Sequence, residues 1–181
     1  MNIKELCDKY AHWDTALGTD KSTTHHYAQH VYDKEFAAYK DAEFNFLEIG
    51  VSGGHSLKVW SEYFTQATIY GLDISLYAFR LFPLPDNVRV SLGDSTKPTA
   101  YDSLPKFTVV VEDGSHDLVD QIKTFNILFP QVEKGGLYII EDIQNLEEAK
   151  QAFDKINPNY EIFDVRDSSG RYDDIIFLYR T

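Results

Sequence analysis

Acidic residues close the short apolar segments of this sequence, and they are the first candidates for chemistry. They are Glu48, Asp73, Asp94, Asp113, Glu141 and Asp142. Carboxylates gathered at one edge of a fold repel one another unless something neutralises them. The pattern therefore indicates a cationic or hydroxyl-rich ligand together with a metal ion. Each acid alone would be equally well explained as a helix cap. That all of them are only caps is a much weaker explanation.

Three of these acids are expected to lie beside a histidine, because the strand ends that carry them should be neighbours across the sheet. Asp113 precedes His116 by three residues, and Glu141 and Asp142 close the next apolar segment. Carboxylates with no cysteine beside them favour Mg²⁺ or Mn²⁺ over zinc. A histidine with an ordinary pKa of about 6.5 can take a proton from a hydroxyl near neutral pH. Alone, His116 would be interpreted as the first residue of a helix, but its neighbours favour a general base.

A glycine-rich segment, Gly50-Val51-Ser52-Gly53-Gly54, follows Glu48 and precedes a helical pattern. Glycines permit a tight turn and a close approach of the backbone to a ligand, and a helix start offers free N–H groups. The spacing is neither the dinucleotide pattern G-x-G-x-x-G nor a P-loop. Asp73 closes the next segment, where a carboxylate can accept the hydroxyls of a ribose, and Asp94 is placed to border an adenine.

The elements that would position these residues alternate between strand and helix. Five apolar segments separated by helical patterns predict parallel strands covered on both faces. They cover residues 44–50, 68–73, 88–94, 107–114 and 136–142. Residues 160–166 and 173–180 flank a Ser-Ser-Gly turn and predict a β-hairpin. We therefore predict an α/β fold with a doubly wound, mostly parallel seven-stranded sheet and a C-terminal antiparallel hairpin. Ligands of such sheets bind at the carboxyl ends of the strands.

Length and charge set outer limits on function. The chain has 181 residues, 17 Lys+Arg and 29 Asp+Glu, and a net charge of −12. That length suits one domain, residues 1–181, in which residues 1–42 would form a helical leader. The helices of this leader are predicted from Ile3 to Trp13 and over residues 27–40.

The acidic net charge argues against binding nucleic acid. No membrane span or signal sequence is recognisable, so we expect a cytoplasmic protein. The single cysteine, Cys7, excludes a disulfide framework.

These motifs together resemble the class I S-adenosylmethionine-dependent methyltransferases. The similar segments are LEIGVSGGHSLKVWSEYF, IYGLDI, GDS, VVVEDGSH and GGLYIIED. More narrowly, they resemble the metal-dependent sugar O-methyltransferases of macrolide tailoring, of the macrocin and mycinamicin type. The leader motif Gly18-Thr19-Asp20-Lys21, followed by His26 and Tyr27, is similar to that group as well. The resemblance covers about residues 15–145.

The resemblance implies a cofactor, a metal ion and a role for each matching residue. The cofactor would be S-adenosylmethionine, contacted by Thr19, Lys21, Tyr27, Glu48, Gly50, Gly53, Asp73, Asp94 and Ser95. Magnesium or manganese would be held by Asp113, Glu141 and Asp142, and His116 would be the general base. The implied reaction methylates a hydroxyl of a sugar or a glycosylated small molecule. Members of that group carry a further N-terminal region that helps to build the substrate site and the oligomer, so the acceptor and the assembly stay open.

The sequence is also compatible with two other functions. Catechol-type O-methyltransferases place acids after the same two strands, although His116 and the leader motif favour the sugar-type interpretation. A non-catalytic binding module with a methyltransferase-like fold is the second alternative, and it would be expected to lose the glycine segment or the acids. The aromatic content of 14% is explained by core packing or by a homo-oligomer surface. His25, His26 and His30 are more typical of an exposed surface than of a zinc site.

Overall fold

A seven-stranded sheet organises the chain, and the computed structural model describes residues 1–10, 19–75 and 84–181. Gly18 and Trp13 of the predicted leader lie outside the described residues. The strands are β1 Asn45–Ile49, β2 Thr68–Asp73, β3 Val88–Leu92, β4 Phe107–Glu112, β5 Val132–Ile140, β6 Tyr160–Asp164 and β7 Ile175–Arg180. Their order in the sheet is β3-β2-β1-β4-β5-β7-β6.

The first five strands pair in parallel, and β7 runs antiparallel to both β5 and β6. The predicted fold class is therefore confirmed, including the terminal hairpin. The chain leaves β1 toward β2 and β3, then returns to place β4 on the other side of β1. This reversal is the topological switch point, where open α/β sheets form a ligand crevice.

The described residues contain six α-helices. They are α1 Ile3–Lys9, α2 Asp33–Glu35, α3 His55–Tyr63, α4 Leu118–Leu128, α5 Leu146–Phe153 and α6 Arg166–Ser169. The predicted Ser-Ser-Gly turn of the hairpin thus contains a short helix, α6, which ends at Gly170 in the left-handed conformation (φ 79°). Every helix within residues 1–10, 19–75 and 84–181 is too short or too polar to cross a bilayer.

The leader differs from the single helix predicted over residues 27–40. It contains a π-helical turn, Ala28–Tyr32, then α2 and a 3₁₀ turn, Ala37–Tyr39. A π turn brings residues five apart onto one side. Here it directs Tyr27 and Tyr32 toward the acids that follow β5. These two tertiary hydrogen bonds therefore favour the π turn over a regular α-helix at this position.

Aromatic side chains fix the leader against one face of the sheet. Tyr32 and Phe36 stack on each other at 4.8 Å, and both meet Trp60 of α3 edge-on. All three are fully buried in the cluster that also contains Phe46 of β1. The leader is consequently part of the core, which gives the residues before Tyr27 a rigid support at the carboxyl ends of the strands.

Candidate functional site

Two adjoining cavities open at the carboxyl ends of the parallel strands. Their volumes are about 500 Å³ and 180 Å³. Gly50, Asp73 and Gly114 line both of them, so they form one extended cleft across the switch point. The larger cavity lies in the size range of small-molecule and cofactor sites. The fold therefore places a cavity at the carboxyl ends of the strands, where the sequence predicted a ligand.

The glycine segment packs directly onto the end of β4. Gly50 has φ +84°, and a Cβ there would lie 1.8 Å from the backbone oxygen of Asp113. Only glycine can occupy this position without moving the neighbouring strand end. The Asp73 carboxylate accepts hydrogen bonds from the backbone N–H groups of Val51 and Ser52, at 2.8 and 3.0 Å. Helix α3 then starts after Gly54 without a side-chain cap, and its first turn lines the larger cavity.

Lys21 is the central cation of the acidic edge. Its Nζ lies 2.8 Å from Asp113 Oδ2, 2.7 Å from Glu141 Oε2 and 3.6 Å from Glu48 Oε1. The Lys21 side chain is only 3% exposed. Burial opposes its charge, but Asp113, Glu141 and Glu48 hold the pKa of the ammonium well above its usual value. The protein thus supplies part of the neutralisation that the clustered carboxylates require.

The two leader tyrosines hold the acids that follow β5. Tyr27 donates a hydrogen bond to Asp142 Oδ1 at 2.5 Å, and Tyr32 donates to Glu141 Oε1. Burial raises the pKa of Glu141 and of Asp142, and Asp113 adds to both shifts. Glu141 is therefore held by Lys21 and Tyr32, whereas one Asp142 oxygen, Oδ2, faces His116 at 3.4 Å.

His116 completes a compact group with Asp113 and Asp142. Its Nε2 lies 3.1 Å from Asp113 Oδ1, and ligand atoms of the three residues lie within 4.8 Å of one another. The hydrogen bond to Asp113 raises the pKa of His116 to about 9, although burial opposes the shift. His116 and Asp142 both adopt positive φ, 58° and 54°. Ser52, on the cavity wall, does so as well (φ 46°). Such strain in residues other than glycine gathers at functional sites.

A second histidine group lies beside the first and was missed by the sequence analysis. His25 is buried; its Nδ1 lies 2.7 Å from Asp174 Oδ1, and its Nε2 lies 3.2 Å from Asp20 Oδ2. Burial lowers the pKa of His25, but Asp20, Asp142 and Asp174 raise it to about 10. The expectation that His25 is exposed is therefore wrong. Antiparallel β7 begins at the edge where parallel strands end, so Asp174 belongs to this edge although it precedes its strand.

The residues predicted to contact the cofactor divide into three groups. The larger cavity is lined by Thr19, Lys21, Gly50, Gly53 and Asp73, and the smaller one by Gly50, Asp73, Asp94 and Ser95. Tyr27 and Glu48 line neither cavity. Glu48 lies beneath the glycine segment, where Ser56 and Trp60 donate hydrogen bonds to it. These two residues are placed to support the site rather than to touch a ligand.

Comparison with known proteins gives two kinds of relative. No protein-family model matches the chain. The 8-demethyl-8-alpha-L-rhamnosyl tetracenomycin-C 2'-O-methyltransferase of Streptomyces olivaceus is 33% identical over an alignment of 138 positions that covers 70% of this chain and 35% of that protein. The demethylmacrocin O-methyltransferase of Streptomyces fradiae is 32% identical over an alignment of 154 positions that covers 78% of this chain and 36% of that protein. The chain thus spans about a third of the length of these curated relatives.

Solved structures agree on the architecture. A methyltransferase from the mycinamycin biosynthetic pathway, in complex with Mg and SAH, matches 99% of this chain and 54% of its own, with a TM-score of 0.72 and 24% identity. The chain has the class I methyltransferase fold. By sequence it belongs to the family of the macrocin, mycinamicin and tetracenomycin O-methyltransferases. This confirms the resemblance inferred from the motifs.

Proposed function

We propose that this chain carries the catalytic domain of an S-adenosylmethionine-dependent O-methyltransferase whose acceptor is a sugar or a glycosylated small molecule. The observation that carries the proposal is the cleft at the switch point. Its glycine segment and Asp73 adjoin Asp113, His116 and Asp142. The names of the sequence relatives support the same reaction. Residues 1–181 would act as one methyltransferase domain, with the leader, residues 1–42, covering the cofactor.

The cofactor would extend through both cavities. Its ribose would lie at their junction, where Asp73 offers carboxylate oxygens already oriented by the glycine segment. Its adenine would lie in the smaller cavity beside Asp94 and Ser95, and its methionine part along Gly50 and Gly53. Thr19 is 6% exposed and lines the larger cavity, and none of the described residues forms a hydrogen bond with its buried Oγ1. A bound ligand would supply that partner.

The donor set beside this cleft fits a hard divalent cation. Asp113 and Asp142 offer carboxylate oxygens close together, and Glu141 lies behind them on Lys21. Oxygen ligands are those that Mg²⁺ and Mn²⁺ prefer. Asp113 and Asp142 would hold the ion. Glu141 would either become a third ligand, once its ion pair with Lys21 breaks, or stay paired with Lys21 and add its negative charge beside the ion. A divalent cation bound there would lower the pKa of a coordinated acceptor hydroxyl.

The residues of the chain would then orient the acceptor and take its proton. Bound S-adenosylmethionine would supply the methyl group, with the sulfonium sulfur as the leaving group, and the acceptor hydroxyl would give up its proton to a base. With Nε2 donating to Asp113, Nδ1 of His116 would be the ring nitrogen that accepts the proton. The ring must be neutral to do so, and a divalent cation bound beside it would lower the pKa of His116 from about 9 toward that state. Asp113 would fix the ring orientation, and the strand ends would position the reacting groups.

The polarity of the cavity favours a sugar over a catechol. Among the described residues that line the larger cavity, only Val51 has a hydrocarbon side chain. A flat aromatic acceptor is usually bound against apolar walls, whereas hydroxyl groups need hydrogen-bonding partners. The intact glycine segment and acids also argue against a non-catalytic module.

Transfer of labelled methyl groups tests the proposal. We expect label from S-adenosylmethionine to appear on methyl α-L-rhamnopyranoside, a vicinal-diol sugar, in the presence of Mg²⁺ and to be lost with EDTA. Faster transfer to catechol would establish the catechol-type alternative. Transfer to neither acceptor by a protein that binds S-adenosylhomocysteine would favour the non-catalytic module.

A further inference from the structure

The segment between α6 and β7 contributes two charged residues to the larger cavity, Arg171 and Asp173. Neither was singled out for a role by the motifs, and neither belongs to the glycine segment or the acids after β4 and β5. Because β7 is antiparallel, its first residues lie at the same edge of the sheet as the ends of those strands. Arg171 and Asp173 therefore lie on the wall of the same cavity as the acids after β4 and β5.

One carboxylate oxygen of Asp173 is buried without a hydrogen-bond donor. The residue is 6% exposed, and within the part of the chain that the structure describes no group donates a hydrogen bond to its Oδ1. The Nη2 of Arg171 lies 3.4 Å from this oxygen. A buried carboxylate oxygen without a donor is unfavourable, so this atom is suited to accept a hydrogen bond from a ligand.

Arg171 has unused donors beside that oxygen. Its guanidinium carries five N–H groups. Its ion pairs with Asp173 and Asp174 are both long, 3.4 Å, and its side chain is 42% exposed toward the cavity and solvent. The two carboxylates orient the guanidinium without occupying all of its donors. An acceptor and a set of donors thus lie side by side.

We propose that Arg171 and Asp173 form the subsite that recognises the acceptor, and that this acceptor is a neutral sugar bound through two neighbouring hydroxyls. The inference rests on the proposed function. One hydroxyl would donate to Asp173 Oδ1, and a second would accept from Arg171. An anionic sugar would satisfy Arg171 but would be repelled by Asp173 and by the acids after β4 and β5, and a cationic one would leave the donors of Arg171 unused. A neutral polyol satisfies both.

Steady-state kinetics with methyl α-L-rhamnopyranoside test the subsite. Asp173→Asn and Arg171→Gln should each raise the KM for the glycoside at least ~10-fold, about 1.4 kcal/mol, with a much smaller change in kcat. The Kd for S-adenosylhomocysteine and the Tm should stay at their wild-type values. Asp167→Asn and Arg166→Gln are matched controls, because these residues lie on α6 outside the cavity lining, with Arg166 paired to Asp164. The controls should keep the wild-type KM.

The outcomes separate this inference from the proposed function. An unchanged KM in both cavity variants would overturn it, as would methyl β-D-glucuronoside being preferred to methyl β-D-glucoside. If Asp173→Asn does not fold, Arg171→Gln, at the more exposed residue, decides the question. If the wild-type protein transfers no methyl group, the proposed function fails. Saturation-transfer NMR then tests the subsite by measuring whether the glycoside binds the protein in complex with Mg²⁺ and S-adenosylhomocysteine. Binding that is lost in the two cavity variants but kept in the two controls would support the subsite, and binding kept in all four variants would overturn it.

Discussion

Turnover should fall at least ~100-fold when His116 is replaced with alanine, because the acceptor hydroxyl loses its proton acceptor. The affinity for S-adenosylhomocysteine should be unchanged, since the cofactor is assigned to the glycine segment and Asp73. Transfer of labelled methyl groups and calorimetric titration measure the two quantities. His30→Ala is a matched control, because His30 is exposed and bonded to Ser168 outside the cavity lining.

The backbone at His116 calls for a second variant. Its φ of 58° is in the left-handed region, which alanine adopts less readily than asparagine. His116→Asn keeps a polar side chain and tolerates this conformation, so a comparable loss of turnover in both variants would assign the effect to the imidazole. Wild-type turnover in either one would remove His116 from the mechanism.

Replacing Lys21 with methionine should lower the free energy of unfolding by about 3–5 kcal/mol, because removing one partner of a buried ion pair leaves uncompensated charge. The side chain is 3% exposed and contacts Asp113, Glu141 and Glu48. Urea denaturation followed by circular dichroism measures the loss. Lys34→Met is the matched control, because the Lys34 side chain is 79% exposed, and its change should stay within about 0.5 kcal/mol.

A double variant tests the physical cause. Lys21→Met combined with Glu141→Gln removes a charge of each sign and should recover part of the lost stability. The sequence resemblance instead assigns Lys21 to the cofactor. If Lys21→Met were as stable as Lys34→Met but bound S-adenosylhomocysteine more weakly, that assignment would hold and the structural role would be wrong.

Much of the fold follows from apolar periodicity. The five parallel strands form where continuous apolar segments predicted them. The edge that gathers Asp73, Asp113 and Asp142 follows from the same reasoning, because parallel strands end on one side of the sheet. Local patterns are sufficient for these features.

Features made by distant contacts were not predictable in this way. The π turn depends on hydrogen bonds from Tyr27 and Tyr32 to acids more than 100 residues away along the chain. Lys21 occurs in a polar segment that is typical of a surface loop, and only the folded acids explain its burial. Asp173 precedes its strand, so a search confined to the residues after strands overlooks it, although the predicted antiparallel hairpin was sufficient to place it at this edge.

Calorimetric titration with S-adenosylhomocysteine, with and without Mg²⁺, tests most directly whether the cleft is a cofactor site. We expect a micromolar Kd, about −8 kcal/mol. Asp73→Asn should weaken binding at least ~10-fold, because the carboxylate that accepts hydrogen bonds from the glycine segment, and that we assign to the ribose, is lost. Asp86→Asn, at an exposed residue outside both cavity linings, should bind as the wild type does. No binding by the wild-type protein under either condition would contradict the account and assign the acidic edge to another partner.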